Sequence, residues 1–291
     1  MSWRTVVISS RCKLDFKMGY MVVRGDELRR IFMDEIAVVL IENPAVSLTG
    51  YLLSELMERK IKVIFCDMKR LPQGELVQYY GSHDTSRKIR TQIEWTAPIK
   101  GAVWGEIIAL KIQKQADFLL ETGHIHEHDL LCDYIEQLEF QDASNREGHA
   151  AKVYFNAIFG MDFARPDETP VNAALNYGYS ILMAAFTREI TANGYITQLG
   201  LHHDNVFNRF NLSSDIMEPF RVLVDRAVYN ARPEEFDKAA KRELLDVLND
   251  YVYIGKERQT VLNAIGVYTK SVFDALNTQD ISRIKCWNYE L

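Results

Sequence analysis

Residues 69–84 read Lys-Arg-Leu-Pro-Gln-Gly-Glu-Leu-Val-Gln-Tyr-Tyr-Gly-Ser-His-Asp, and the character of the chain changes across them. Pro72, Gly74 and Gly81 punctuate this stretch, which reads as a connection. On its N-terminal side short β-type runs recur at 5–8, 14–16, 21–24, 36–41 and 63–66, broken by Gly19, Gly25 and Asn43-Pro44. One helical segment, 51–59, interrupts them, with Leu52, Leu53, Leu56 and Met57 at helical spacing. On the C-terminal side the pattern predicts helices at 85–94, 103–122, 130–140, 147–159, 171–192, 216–229, 233–249 and 258–276. Pro166, Pro170 and Gly194 mark boundaries among them. The expected fold is α+β: a small, mainly β domain over 1–75, a linker over 76–88 and a larger all-α domain over 89–291.

With 291 residues, 47% of them hydrophobic, the chain is long enough for two domains and should bury roughly 75% of its unfolded surface. It needs no disulfide or structural metal to fold. Cys12, Cys66, Cys132 and Cys286 are scattered, without a Cys-x-x-Cys pair, which argues against a zinc ribbon and suits a reducing cytoplasm. No stretch reaches the ~20 apolar residues of a membrane span, and the first residues lack a signal-peptide run. A soluble cytoplasmic protein without membrane contact is expected. The net charge of −6 does not exclude a nucleic-acid partner, because screening limits each charge to ~8 Å and a phosphate senses only the local patch.

Several ionisable residues fall on apolar helices or beside sharp turns. Glu147 opens a segment in which Ala150, Ala151, Tyr154 and Phe155 lie on or near one helical face. It reads either as a carboxylate that favours a helix N-terminus through the dipole or as the start of an inward-facing site. His202 and His203 are adjacent, so at most one of them faces a given site. Asp215 and Glu218 stand at i and i+3; Asp215 suits an N-cap, whereas Glu218 lies beside Phe220, Leu223 and Val224 and needs a cation, a metal or a proton. Two carboxylates and an imidazole suit Mg²⁺ or Mn²⁺, the imidazole favouring Mn²⁺. Periodicity alone does not bring them together. The tract His124-x-His126-x-His128 lies in a Gly-containing connection, and its alternation suits no single helix face. Lys69, Arg70, Arg87, Lys88 and Arg90 flank the linker; a solvated face is the default, and a strip that contacts phosphates, with Arg146 beside Glu147, is the alternative.

Three motifs in order carry a resemblance. The run 198–226, Gln-Leu-Gly-Leu-His-His-Asp-Asn-Val-Phe-Asn-Arg-Phe-Asn-Leu-Ser-Ser-Asp-Ile-Met-Glu-Pro-Phe-Arg-Val-Leu-Val-Asp-Arg, resembles the signature of the CRISPR-associated integrase (Cas-one) family. Arg146-Glu147-Gly148 with Ala150, Ala151, Tyr154 and Phe155 resembles its first acidic motif, and Asn172, Ala174, Leu175, Asn176, Tyr177, Gly178 and Tyr179 its intervening helix. The β-then-α order agrees, so the resemblance covers nearly the whole chain. By position, it implies that Glu147, His203 and Glu218 hold the catalytic metal and that Asp215 supports them. His203 is preferred to His202 because the family histidine stands three residues after the glycine, here Gly200. Many family members carry aspartate where this chain has Glu218.

The resemblance further implies a homodimer joined through the β domains, double-stranded DNA as substrate and a small ferredoxin-like companion subunit (Cas-two). Its reaction is transesterification, in which a 3′-hydroxyl of captured DNA attacks a phosphodiester at a CRISPR repeat. The His-His-Asp-Asn segment looks most like the branch found beside single-protein (type II) effector nucleases, which makes that effector a further candidate partner. Two other readings stay open: a metal-dependent nuclease that cuts without joining, and a non-catalytic DNA-binding scaffold.

Overall fold

The structure, a computed structural model, describes residues 4–68, 70, 72–78 and 82–289. The chain divides into two compact units, one of Met1–Thr85 with Thr191–Gly194, the other of Ser86–Ile190 with Tyr195–Leu291.

The first unit holds β1 (Arg4–Ile8), β2 (Lys13–Lys17), β3 (Tyr20–Arg24), β4 (Leu28–Phe32), β5 (Ile36–Ile41), β6 (Ser47–Leu48), α1 (Gly50–Glu58), β7 (Lys62–Cys66) and β8 (Pro72–Leu76). All six residues of β5, Ile-Ala-Val-Val-Leu-Ile, are buried. A strand with no polar face has to be covered on both sides, and parallel neighbours are the usual way. Accordingly β5 runs parallel to β1 and to β7, with Val39 opposite both Val6 and Val63. A second sheet, in the order β4-β3-β2-β6, is an antiparallel meander joined by one short parallel strand. Leu14, Met21, Val39, Val63, Leu52 and Leu56 share one apolar core, so both sheets and α1 bury their inner faces together. Thr49 starts α1, its side-chain oxygen accepting the Leu52 amide at 3.2 Å.

Part of the expected connection is structured. Residues 72–76 form β8, antiparallel to β7 at the end of the first sheet. Pro72 is compatible with this because, as the first residue of an edge strand, it owes the ladder no donor.

The second unit is mostly helical: α2 (Thr85–Glu94), α3 (Ala97–Glu121), α4 (Ile125–Glu136), α5 (Arg146–Phe159), α6 (Pro170–Ala192), α7 (Asn211–Ile216), α8 (Arg221–Ala231), α9 (Lys238–Asp246) and α10 (Val261–Thr278). Helix α3 buries Val103, Trp104, Ile107, Ile108, Ile112, Phe118 and Leu119. A helix that is apolar nearly all round is wrapped by its neighbours, and α4, α5, α8 and α10 all pack on it. Each such side chain, fully buried, stabilises by about 1.5–3 kcal/mol. Gly178 of α6 lets α8 approach: a Cβ there would stand 2.4 Å from Val224 Cγ1.

The expectation of an all-α second domain is corrected. Strands β9 (Tyr251–Ile254), β10 (Glu257–Thr260) and β11 (Trp287–Asn288) form a three-stranded antiparallel sheet there. Val252 and Ile254 alternate inward, and Gly255 turns the hairpin at φ +64°. This alternating Tyr-Val-Tyr-Ile run followed by glycine is a hairpin signal, and it delays the helix expected from 258 until Val261. The helix expected at 216–229 is also broken: α7 ends at Ile216, a 3₁₀ turn covers Glu218–Phe220, and α8 follows. Pro219 has no amide to continue the α ladder, which accounts for the break.

Candidate functional site

Glu147 lies in the first turn of α5, but it does not cap that helix. Asp142 does, its two carboxylate oxygens accepting the Arg146 amide at 2.7 Å and the Glu147 amide at 3.0 Å. The Glu147 side chain is thereby released for other contacts. Its Oε1 lies 2.5 Å from Nζ of Lys111, on the middle of α3. The same nitrogen lies 2.5 Å from Oε2 of Glu218, so the two carboxylate oxygens are no more than about 5 Å apart. Glu218 is itself buried, because the turn at Pro219 directs it inward, and Arg221 donates to its other oxygen at 2.8 Å. Burial works to raise the Glu218 carboxyl pKa; the positive charges of Lys111 and Arg221 outweigh it and hold the group below its ordinary value. Burial likewise opposes the charge on Lys111, but Glu218 and Glu147 keep its pKa above the usual lysine value.

The imidazole side of the site is built by Asp215, a fully buried carboxylate on α7. One of its oxygens accepts the Leu201 amide at 2.6 Å and the His202 amide at 3.1 Å. The other accepts the His203 amide at 3.2 Å and faces His203 Nδ1 at 2.5 Å. An ionised carboxylate only accepts, so Nδ1 carries the proton and Nε2 keeps its lone pair when the ring is neutral. The hydrogen bond to Asp215 raises the His203 pKa; partial burial opposes this, and the fields of Asp215, Glu218 and Glu147 add to it. Gly200 is required by this turn, since a Cβ there would stand 2.3 Å from the His203 carbonyl oxygen and 2.7 Å from Asp215 Oδ2. Trp104 packs on both histidines: His202 stacks flat on it at 4.5 Å and His203 stands edge-on at 5.9 Å, the two imidazoles themselves meeting T-shaped at 5.6 Å.

Glu147 and Glu218 therefore converge, and Asp215 aims His203. Lys111, Arg221 and Trp104 were missed by reading the sequence. The signal for Lys111 was present, a lone lysine among Ile107, Ile108, Leu110 and Ile112. The histidine tract lies at the start of α4, not in a connection. There His128 Nδ1 lies 3.0 Å from the Ala116 carbonyl oxygen and His124 Nδ1 3.0 Å from the Thr122 hydroxyl. Of the basic residues, Lys69 lies outside the described residues. Arg70 pairs with Glu42 at 3.2 Å. Arg87 and Lys88 lie on α2, Lys88 with its ammonium 5.3 Å from the Tyr195 ring centre, and the Arg146 guanidinium stands 5.4 Å from that of Tyr134.

The donor chemistry suits a hard cation at the carboxylate pair, where one positive charge is already shared by both acids. Among the described residues no three His, Cys, Asp or Glu side chains stand close enough together to ligate an ion as they are, so the structure brings Glu147 and Glu218 together without the His203 imidazole.

An α+β chain with two acids and an oriented imidazole in its helical part is the setting for the following comparisons. The family described as "CRISPR associated protein Cas1" matches residues 5–246, and the chain belongs to that family. The chain is 32% identical over 291 residues to "CRISPR-associated endonuclease Cas1" of Neisseria meningitidis serogroup C (strain 8013), covering 98% of this chain and 96% of the relative. Among solved structures, a chain of a Cas6-RT-Cas1–Cas2 complex superposes with TM-score 0.76 at 19% identity, over 99% of this chain and 36% of that one. A casposase bound to integration product gives TM-score 0.77 at 17% identity, over 96% and 91% of the two chains. At these identities the structures speak for the fold, a mixed α+β architecture with a mostly helical C-terminal part. Among the described residues no helix is long and apolar enough to cross a membrane.

Proposed function

We propose that this chain is a metal-dependent DNA integrase of CRISPR adaptation, with an associated endonuclease activity, acting in the cytoplasm. The observation that carries the reading is the convergence of Glu147 and Glu218, from separate elements, on one cationic nitrogen. Glu147, Glu218 and Nε2 of His203 would hold Mg²⁺ or Mn²⁺. Such an ion supplies polarisation of a phosphodiester and neutralises charge that develops on the attacking and leaving oxygens. The chain's own part is positional: Asp215 fixes the protonated Nδ1 of His203, Arg221 holds Glu218 from behind, and Asp142 frees Glu147 from capping. A 3′-hydroxyl of captured DNA is the attacking group, and the phosphodiester at the edge of a repeat is the acceptor.

Double-stranded DNA, a second copy joined through the first unit, and a Cas2 subunit are the proposed partners. The Cas1–Cas2 assembly and the integration product named for the similar structures support the last of these and the joining chemistry. The branch beside single-protein effector nucleases, with that effector as a further partner, rests on the His-His-Asp-Asn segment. Arg87, Lys88 and Arg146 are the proposed phosphate contacts, together with Arg70 and Lys69.

A second reading, hydrolysis without joining, is favoured by the name endonuclease borne by the Neisseria relative. One assay separates them. The protein, a Cas2 subunit, Mn²⁺, a short 3′-hydroxyl duplex and a repeat-bearing plasmid should yield joined product. Cutting without joined product would select the nuclease. Glu218→Gln should abolish both reactions while leaving the circular dichroism spectrum intact; full activity in that variant would remove the site from the reaction.

A further inference from the structure

A lysine in the middle of an apolar helix needs a physical reason. The Lys111 side chain is only 9% exposed, and burying an ammonium is costly unless it is paired and hydrogen-bonded. Leucine or methionine would satisfy the packing of α3. Instead the chain places a positive charge within 2.5 Å of both Glu147 and Glu218. Without it the half-exposed carboxylate of Glu147 and the buried one of Glu218 would face each other at no more than about 5 Å, a repulsion that water screens only from the Glu147 side.

The charges of this cluster balance without any metal: two acids, Glu147 and Glu218, against Lys111 and Arg221. A divalent cation entering the same point would meet Lys111 head-on, with both acids already shared by that ammonium. The two cations are not equally able to leave. Arg221 approaches the other oxygen of Glu218 through both Nε and Nη2, a planar fork that remains compatible with an ion on the near side. Lys111 is a point charge on a flexible four-carbon stem and occupies the shared point itself.

We infer that the Lys111 ammonium is a built-in counter-ion, holding Glu147 and Glu218 together in the metal-free protein and competing with the divalent cation for them. The inference rests on the metal reading of this site given above. Lys111 thus acts on the reaction through the carboxylates, as a positioning residue that sets how tightly the ion is held.

Mn²⁺ binding to the EDTA-stripped full-length protein tests this, followed by electron paramagnetic resonance of the free ion, with the thermal midpoint measured in parallel. Lys111→Met should bind Mn²⁺ about ten-fold tighter or more, because removing a unit charge ~4 Å away at an effective dielectric of ~20 acts strongly on a cation. Its metal-free midpoint should fall, and its rise on adding Mn²⁺ should exceed that of the wild type. An unchanged or weaker Mn²⁺ affinity overturns the inference, since a lysine that merely supports the fold would weaken the site when lost. If the unpaired Glu147 beside Glu218 prevents folding, Lys111→Met is placed on Glu147→Gln, which loses one acid with the one cation, Arg221 still holding Glu218. It should again bind Mn²⁺ more tightly than Glu147→Gln alone, and equal affinity overturns the inference. Wild-type Mn²⁺ affinity in Glu218→Gln would instead discard the metal site itself.

Discussion

Replacing Asp215 by asparagine separates orientation of the imidazole from packing. The wild-type carboxylate accepts four donors, the amides of Leu201, His202 and His203 and the ring nitrogen Nδ1. Asparagine offers one acceptor oxygen and one NH₂, so two of the four donors meet another donor. A hydrogen bond to a charged group contributes about 1.5–3 kcal/mol, which bounds the loss at roughly 3–6 kcal/mol. His202 and His203 are exposed enough for water to compensate in part, which favours the lower end, about 3 kcal/mol. The side chain should turn its oxygen towards the Leu201 and His202 amides, because Leu201 is buried and cannot take water instead. The NH₂ then donates to His203 Nδ1, the ring proton moves to Nε2, and the nitrogen that should face the metal loses its lone pair. Mn²⁺ affinity should fall by about 10–100-fold, the usual effect of losing a partner behind a ligand. Urea unfolding followed by circular dichroism measures the first quantity and a Mn²⁺ titration the second. A variant within 0.5 kcal/mol of wild type by the usual surface-mutation standard, with unchanged Mn²⁺ affinity, would refute this account of Asp215.

Two further outcomes follow from the core around the site. Asp225 is buried against the Tyr179 hydroxyl, and burial raises its pKa to about 6 despite the hydrogen bond from Tyr179 and the charges of Arg221 and Arg165. A raised folded-state pKa stabilises the protonated form, so this contribution is present below pH 3.8 and is lost as pH rises through about 6. Relative to Asp225→Asn, the wild type should therefore lose about 3 kcal/mol across that window; a stability gap flat from about pH 3.5 to about pH 7 by urea unfolding would contradict the assignment. Gly178→Ala should destabilise by about 1–3 kcal/mol, because its Cβ meets a Val224 methyl. Adding Val224→Ala should recover part of that loss in the thermal midpoint, and no recovery would show that the strain lies elsewhere.

The sequence carried the helix periodicity and the wholly apolar run at 36–41 plainly, because one face or both faces of those elements are buried and the pattern records it. It carried β8 poorly, since Pro72 and Gly74 are turn residues that an edge strand tolerates. The hairpin of Tyr251–Ile254 and Glu257–Thr260 was hidden because Arg258 and Gln259 fit a helix as well as a strand, and their pairing with Tyr253 and Val252 across the turn decides for the strand. At the site, a histidine and two acids are conspicuous residue types. What periodicity could not supply was their meeting point, nor that Asp142, not Glu147, caps α5. Lys111 escaped for a different reason: α3 buries two lysines, Lys111 and Lys114, and only what other segments bring to each of them tells the two apart.

Trp287, on the short strand β11, donates its indole N–H to the Pro219 carbonyl oxygen at 3.2 Å, across 68 positions of sequence. A ribosome making this protein thus emits both acids and the imidazole well before the peg that steadies the turn beside Glu218. Until that strand zips onto β9, the turn lacks this one tether and is held by α3, by Arg221 and by the packing of Phe220 on Phe186 and Tyr268. Chain order thus places this tether after every side chain that it helps to steady.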